Sequence, residues 1–377
     1  MKIVIASDSF KGSLSSSDVA TSAHAGIIDV LPDCEVIAVN VADGGEGTVD
    51  AIVEALHGEV ISCEVTDPLR RKIKAEYGIA GDLAVLEMAA ASGLPLLNKE
   101  ERNPWVTTTF GTGEMIKDAL SRGCRRFLIG IGGSATNDAG MGMLQALGFR
   151  FYNANNELIK EGCGGSLSDI VRIDNSQVSN DVKESIFTVA CDVDTPFCGP
   201  DGAAPVFAPQ KGANADMVKR LDAGMASFAK VIQQQYGMDV VAVEGAGAAG
   251  GMGGGFWAFL GATLKKGIDM VLDAIDFDET IIGADLVITG EGKVDFQTAK
   301  GKTAAGVLKR AQRQGVPVIV IGGCVELCDS LLQMGFDGIY PILEHKVPLE
   351  IAMQRDFAMT NVRKTVAKIL RDYIKKD

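Results

Sequence analysis

"TGEGKVDFQTAKGKT", residues 289–303, directly follows the apolar run "ADLVI" at 284–288 and leads into "AAGV". An apolar run of strand length, a glycine-rich polar turn and a helical start form the strand–turn–helix step of an open α/β sheet. Two familiar phosphate loops fail here by one residue each. The P-loop spacing ending at Gly301, Lys302 and Thr303 needs a glycine at 296, where Phe296 stands; the dinucleotide fingerprint begins with Gly290 and Gly292 but has Asp295 at its third glycine position. In place of those glycines the turn carries Glu291, Lys293, Asp295, Gln297 and Lys302.

Working outward, the same rhythm recurs at both ends of the chain. "KIVIASDSF" is a strand breaking into polar turn residues, a helical pattern runs from about Ser16 to Leu31, and "CEVIAVNV" is a second strand. After the opening stretch come a helix over 303–314, the strand "VPVIVIGG", a helix, the short strand "GIYPI" and a terminal helix with Val362, Val366, Ile369 and Tyr373 on its apolar face. The middle differs. "EVISCEVTD", "KIKAEYGIA" and "DLAVLEMA" are three strand-like runs split by turn dipeptides, an antiparallel meander, before helix and strand alternate again through "FGTGEMIKDALSRG", "RRFLIGI" and "ESIFTVACD". The run "GAGAAGGMGGG" (245–255) reads as a close-packing or hinge segment ahead of a helix. These patterns predict an α/β protein of two α/β domains. A discontinuous, open parallel, Rossmann-like sheet domain takes 1–58 and 279–377; an inserted mixed-sheet domain takes 59–278, with the active site expected in a cleft between them.

Composition narrows the function. A chain of 377 residues with 47% hydrophobic content can bury large cores, and 45 glycines with 6% aromatics favour tight turns over an aromatic binding surface. A net charge of −13 without a lysine/arginine run argues against nucleic acid or an anionic membrane as partner. The first apolar run, Ile3–Ala6, is too short for a signal peptide or a span, so a cytoplasmic protein is expected. Eight scattered cysteines without a C-x-x-C pair read as free thiols, and three histidines (His24, His57, His345) make a zinc or iron–sulfur site improbable.

Ligands of open sheets sit at the carboxyl ends of the strands. Those ends carry Asp8 and Lys11; Asp43 and Glu46; Ser134, Asn137 and Asp138 behind Gly132 and Gly133; Asp192, Asp194 and Lys211; and the opening loop. Carboxylates and amines among glycines suit a metal-complexed polyphosphate, with amides and lysines on phosphate oxygens and acids on Mg²⁺. Each also has a plainer reading: glycines make turns, Asp caps helices, and lysines face solvent. Three other functions compete. "GGSAT" is close to a hydrolase nucleophile elbow, but Thr136 replaces its last glycine, and the chemistry would need Ser134 with His345. A dehydrogenase lacks a complete fingerprint, and a sugar-acid sensor without catalysis lacks a DNA-binding output element.

Taken together, "DSFKGSLS", "ADGGEGT", "DPLRRKIKAEYG", "TTFGTGEMI", "GIGGSATNDAGMGMLQALG", "CDVDTPFCGPDGAAPVFAPQKGA", "GAGAAGGMG" and "ADLVITGEGKVDFQTAKGKTAAGV" resemble, in this order and over essentially the whole chain, the glycerate kinase family. Departures are small: Arg70 stands where such sequences usually have glycine in D-P-L-G-R, and Thr195 and Phe197 stand where N-P-L is common. The resemblance implies ATP and Mg²⁺ as cofactors, D-glycerate as substrate, and phosphorylation most often at the 2-hydroxyl, with a 3-phosphoglycerate-forming kinase as the alternative, by a monomer or homodimer. On that basis Gly132, Gly133, Ser134, Lys211, Gly290, Gly292 and Lys302 are expected at the nucleotide, Glu291 or Asp295 at Mg²⁺, and Asp8 and Arg71 at the sugar acid. Arg71 offers a two-pronged grip on a carboxylate. Lys11 is expected in catalysis, and with so few histidines the base is an aspartate, Asp192 first and Asp43 second.

Overall fold

The structure is a computed structural model that describes residues 1–374 apart from Glu46, Glu344 and Lys346, with Lys300 described by its backbone alone. Its strands, in chain order, are β1 Lys2–Ser7, β2 Glu35–Asn40, β3 Glu59–Thr66, β4 Lys72–Ala80, β5 Leu83–Glu87, β6 Arg126–Gly130, β7 Arg150–Tyr152, β8 Arg172–Asp174, β9 Ile186–Ala190, β10 Thr263–Lys265, β11 Leu286–Val294, β12 Val318–Val325 and β13 Gly338–Pro341. The chain divides into two compact units. One comprises Met1–Asp43, Glu54–Leu56 and Val271–Asp377, the other Gly44–Val53 and His57–Met270.

The first unit is built on a parallel sheet ordered β13-β12-β11-β1-β2. Numbered within the unit, that order is 2-1-3-4-5, the flavodoxin-type form of a doubly wound sheet, whose switch point lies between β1 and β11. The register pairs Ile3 with Leu286 and Ser7 with Gly290, so the two strands end together. Nearly every residue of β1 is buried, as a strand covered on both faces requires. Helices Ser16–Ile28 and Arg355–Ile374 join Val19, Ala23 and Ile27 to Val362, Val366 and Ile369 in one core, with Tyr373 half-buried at its margin. Arginine–aspartate pairs, Arg355–Asp18 at 2.5 Å and Arg363–Asp29 at 2.7 Å, pin the two helices; exposed pairs of this kind contribute about 0–1 kcal/mol each.

The second unit carries a mixed sheet ordered β10-β9-β6-β5-β4-β3. Its β3–β4–β5 portion is the antiparallel meander, and β5, β6, β9 and β10 run parallel. Phe127 and Phe187 stack on adjacent strands with ring centroids 4.8 Å apart, at the centre of a core that includes Tyr77 and Phe256. The glycine-rich run 245–255 is a packing device. It enters helix Ala248–Leu260 through three left-handed residues, Ala249, Gly250 and Gly251, and a Cβ added at Gly250 would lie 2.2 Å from the Thr136 carbonyl.

Candidate active site

In the first unit, a cavity of about 760 Å³ opens at the carboxyl ends of β1, β11 and β12. Its polar wall includes Asp8, Ser9, Lys11, Ser13, Asp43, Glu291, Lys293, Lys302 and His345, with Gly292 between Glu291 and Lys293. The opening stretch of sequence supplies Glu291, Gly292, Lys293 and Lys302. It runs as strand through Val294, tightens into a single turn at Thr298–Lys300, and reverses at Gly301, whose φ of +103° is open to glycine at little cost. Helix Thr303–Arg313 then begins, and it brings two of its first residues back to the strand ends. Thr303 donates its hydroxyl to Asp8 at 2.7 Å, and the backbone N–H of Ala304 donates to Glu291 at 2.8 Å. Thr298 adds a second donor to Glu291 at 3.0 Å, and the Ser9 N–H a second donor to Asp8 at 2.6 Å.

Two buried carboxylates on neighbouring strands are expensive as anions. Burial pushes Glu291 up to about 7, its two hydrogen bonds opposing, and the charge of Asp8 adds to the rise. Burial likewise raises Asp8, partly offset by Thr303, and Asp43 raises it further. Strong perturbation of titratable groups lining a cavity is a physical mark of a functional site. Asp295 differs. Burial opposes its charge, but the Gln297 N–H and the Lys293 ammonium at 3.1 Å outweigh that and hold it below the usual carboxylate range. It closes the loop and is not among the residues lining the cavity.

The second unit holds a separate polar cluster. Lys211, 2% exposed, donates from Nζ to the Thr136 carbonyl at 2.6 Å and to Ser134 Oγ at 3.1 Å; burial pushes its ammonium down to about 7, opposed by Asp138. Asp138, fully buried, accepts from the N–H and hydroxyl of Thr109 at 2.9 Å each and from the Gly140 and Gly142 amides at 3.2 and 3.1 Å. Ser134 Oγ also accepts from the Thr136 N–H at 3.1 Å. This hydroxyl is held by a lysine and its own turn, an arrangement that departs from the serine–histidine pairing a hydrolase elbow needs. Gly132 and Gly133 are exposed beside it.

A glycerate kinase family profile matches residues 3–374. The chain belongs to the glycerate kinase family. It is similar to a glycerate kinase of Haemophilus influenzae, 46% identical with 98% of this chain and 99% of that one covered. It is also similar to glycerate 2-kinase of Escherichia coli K12, 45% identical over 99% and 100% of the two chains. A crystal structure from Salmonella typhimurium LT2, provisionally described as glycerate kinase 2, superposes with a TM-score of 0.91 at 43% identity, covering 100% of this chain and 99% of that one. This member of the glycerate kinase family is therefore a kinase, and among its described residues no helix is long and apolar enough to cross a membrane.

Against that family background, the residues singled out in the sequence fall into distinct groups. Asp8, Lys11, Asp43, Glu291, Gly292 and Lys302 share one cavity; Gly290 lies within β11, where it packs against Ser7 and Ile321; Asp295 braces the loop. Gly132, Gly133, Ser134 and Lys211 form the second cluster. Asp192 is exposed and accepts from the N–H of Gly267, the first residue of helix Gly267–Ala274. Arg71 is engaged by Asp67 at 2.5 Å and Glu101 at 2.6 Å, which raise its basicity, Glu101 foremost. Glu46 lies outside the described residues. Sequence reasoning passed over Thr303 and Thr298, the hydroxyl donors to Asp8 and Glu291. The signal was there in the "GKT" ending, where the P-loop pattern also places a functional hydroxyl. All eight cysteines are free thiols.

Proposed function

We propose that this kinase transfers the γ-phosphoryl group of ATP to the 2-hydroxyl of D-glycerate, giving 2-phosphoglycerate and ADP. The observation that carries the reading is the cavity at the β1/β11 switch point, where Asp8 and Glu291 stand beside Lys11 and Lys302 on a glycine-rich turn. Phosphoryl transfer asks for charge neutralisation and in-line positioning rather than covalent chemistry, and these are the groups for it. The choice of the 2-hydroxyl draws on the similar Escherichia coli protein, whose name specifies that position.

The donor set also suits a divalent ion. Burial raises the proton affinity of both Asp8 and Glu291, with Asp43 adding to the rise at Asp8 and Asp8 to that at Glu291, a cost that a bound cation relieves. Among the described residues no group of three or more acidic, histidine or cysteine side chains forms a full metal cage. Mg²⁺ commonly takes only one or two carboxylates, completing its shell with water and phosphate oxygens. Asp8 and Glu291 would hold it, and its chemistry there would be to neutralise charge on the phosphates. Lys11 and Lys302 supply cations to the same oxygens. For the proton of the acceptor hydroxyl, the proposal favours Asp43, which lines this cavity, over Asp192, which anchors a helix start.

The reading is tested by ADP release from purified protein. Release is expected only with ATP, a divalent cation and D-glycerate all present. A folded protein that releases no ADP in response to D-glycerate would end it.

A further inference from the structure

The first unit has a second concavity, of about 740 Å³, whose lining is basic. Arg363, Lys364, Lys368 and Arg371 face it from helix Arg355–Ile374, and His345 faces it from the segment after β13. Steps of four and three residues put Lys364, Lys368 and Arg371 on one face of that helix. Like charges at such spacing weaken a helix rather than support it. Asp29 is the one carboxylate lining the concavity among the described residues, and the Arg363 guanidinium donates to both its oxygens at 2.7 Å each. That charge is held chiefly by Arg363, with Arg371 contributing. Four cations therefore face one anion, in a chain whose net charge is −13. A concavity lined by one sign of charge concentrates small ions of the other.

This concavity shares a wall with the cavity at the β1/β11 switch point. Ile342, Leu343, His345 and Val347 line both. Ile342 is tied in two directions: its N–H donates to the Gly322 carbonyl of β12 at 2.9 Å, and its carbonyl accepts from the Thr365 hydroxyl of helix Arg355–Ile374 at 3.4 Å. An ion held against the helix thus touches the segment that also bounds the other cavity.

We propose that the basic concavity binds a small phosphorylated carboxylic acid, and that its occupancy is felt at the β1/β11 cavity through the shared wall; the second part rests on the nucleotide reading given above. A phosphate monoester carries about −1.5 to −2 at neutral pH, and a carboxylate adds one charge more. Such an acid brings about three negative charges to a lining of four cations and one carboxylate, so the two charges match. Arg371 presents a planar fork that fits a phosphate or a carboxylate with two parallel bonds, and Lys364 and Lys368 act as point charges beside it.

The test is calorimetric titration of the whole protein with phosphoenolpyruvate, a phosphorylated carboxylic acid that differs from the proposed product, and separately with inorganic phosphate. The native chain is compared with Lys364→Gln, Arg371→Gln and Lys302→Ala. Lys364 and Arg371 are exposed, which makes their neutral variants compatible with folding, and thermal midpoints verify it. Phosphoenolpyruvate is expected to bind the native chain more tightly than inorganic phosphate does. Lys364→Gln and Arg371→Gln should each weaken it by at least about tenfold, the scale of one lost charge-assisted contact, and Lys302→Ala should leave it unchanged. In kinase assays, phosphoenolpyruvate should shift the KM for ATP of the native enzyme by about fivefold or more, and that of Lys364→Gln far less, with the activity of Lys364→Gln native in its absence. Binding lost in Lys302→Ala and kept in both helix variants places the anion in the β1/β11 cavity and overturns the proposal. So does a native chain that binds no phosphoenolpyruvate. Equal affinity for inorganic phosphate overturns the assignment of a carboxylic acid. Binding that depends on Lys364 and Arg371 but leaves the KM for ATP unmoved overturns the coupling and leaves the site standing. A native oligomer that Lys364→Gln dissociates, with phosphoenolpyruvate affinity unchanged, overturns the site, because the occupant is then the acidic surface of a second copy.

Discussion

The Glu291 carboxylate accepts a hydrogen bond from the backbone N–H of Ala304 at 2.8 Å, so a buried acid of β11 occupies the first turn of the helix that follows it. A helix N-terminus favours an anion there, whereas burial disfavours one. Burial wins, and the group titrates at about 7.

That balance predicts a pH dependence. Between its ordinary value of 4.5 and about 7, folded Glu291 holds a proton that the unfolded chain has released. Its contribution is fully present below 4.5 and is lost as pH rises through about 7, by up to about 1.4 kcal/mol per pH unit within the window. Glu291→Gln keeps an acceptor for Ala304 and cannot ionise, so its thermal midpoint should decline less than the native one across this window. Superimposable midpoint-against-pH curves for the two proteins would refute the assignment.

The two candidate bases separate by kinetics. Asp43→Asn removes a proton acceptor from the cavity wall and should lower kcat by roughly 10²–10⁴, with KM for ATP changed far less. Asp192→Ala should act on the start of helix Gly267–Ala274, where it removes the acceptor for the Gly267 N–H, costing about 0.5–2 kcal/mol of stability and leaving turnover of the folded enzyme close to native. Measuring kcat and thermal midpoint on the same preparations distinguishes them, and the reverse pattern hands the role to Asp192.

Arg70 adopts a left-handed φ of 66° in a turn closed by Asp67, whose carboxylate accepts from the Leu69 and Arg71 amides at 2.8 and 2.9 Å. Its guanidinium donates to the Gly162 carbonyl at 2.9 Å, a compensation for the backbone strain. Alanine and glycine both lose that bond, but only glycine relieves a strain of about 1–2 kcal/mol, less a smaller unfolded-state entropy cost. Arg70→Gly should therefore unfold at higher denaturant than Arg70→Ala, with a difference of about 0.5–1 kcal/mol. An alanine variant at least as stable as the glycine variant would contradict this account.

Much of this architecture was legible because it is periodic. The apolar runs of β1, β11 and β12 and the meander β3–β5 announce themselves, and so do the acids and glycines at strand ends. Strand order was not legible: nothing local in "KIVIAS" states that β11, almost three hundred residues on, lies beside it while β12 does not. The 2-1-3-4-5 order follows from long-range pairing. Side-chain commitments were equally hidden. Glu291 near the end of β11 and Asp295 just past it are four residues apart, yet one is buried beneath a helix start while the other is ion-paired to Lys293. Arg71 looks free in "DPLRRK" until Glu101 is brought to it from beyond the meander. Lys211 reads as a surface anion-binder, and burial with Ser134 appears only once the chain is folded.

The most direct test of the central claim is a phosphorus NMR spectrum of the protein incubated with ATP, Mg²⁺ and D-glycerate. The account predicts that the γ-phosphate resonance of ATP is replaced by the monoester resonance of 2-phosphoglycerate, in step with formation of ADP and only when D-glycerate is present. Accumulation of 3-phosphoglycerate in its place, or a spectrum that D-glycerate leaves unchanged, would contradict it.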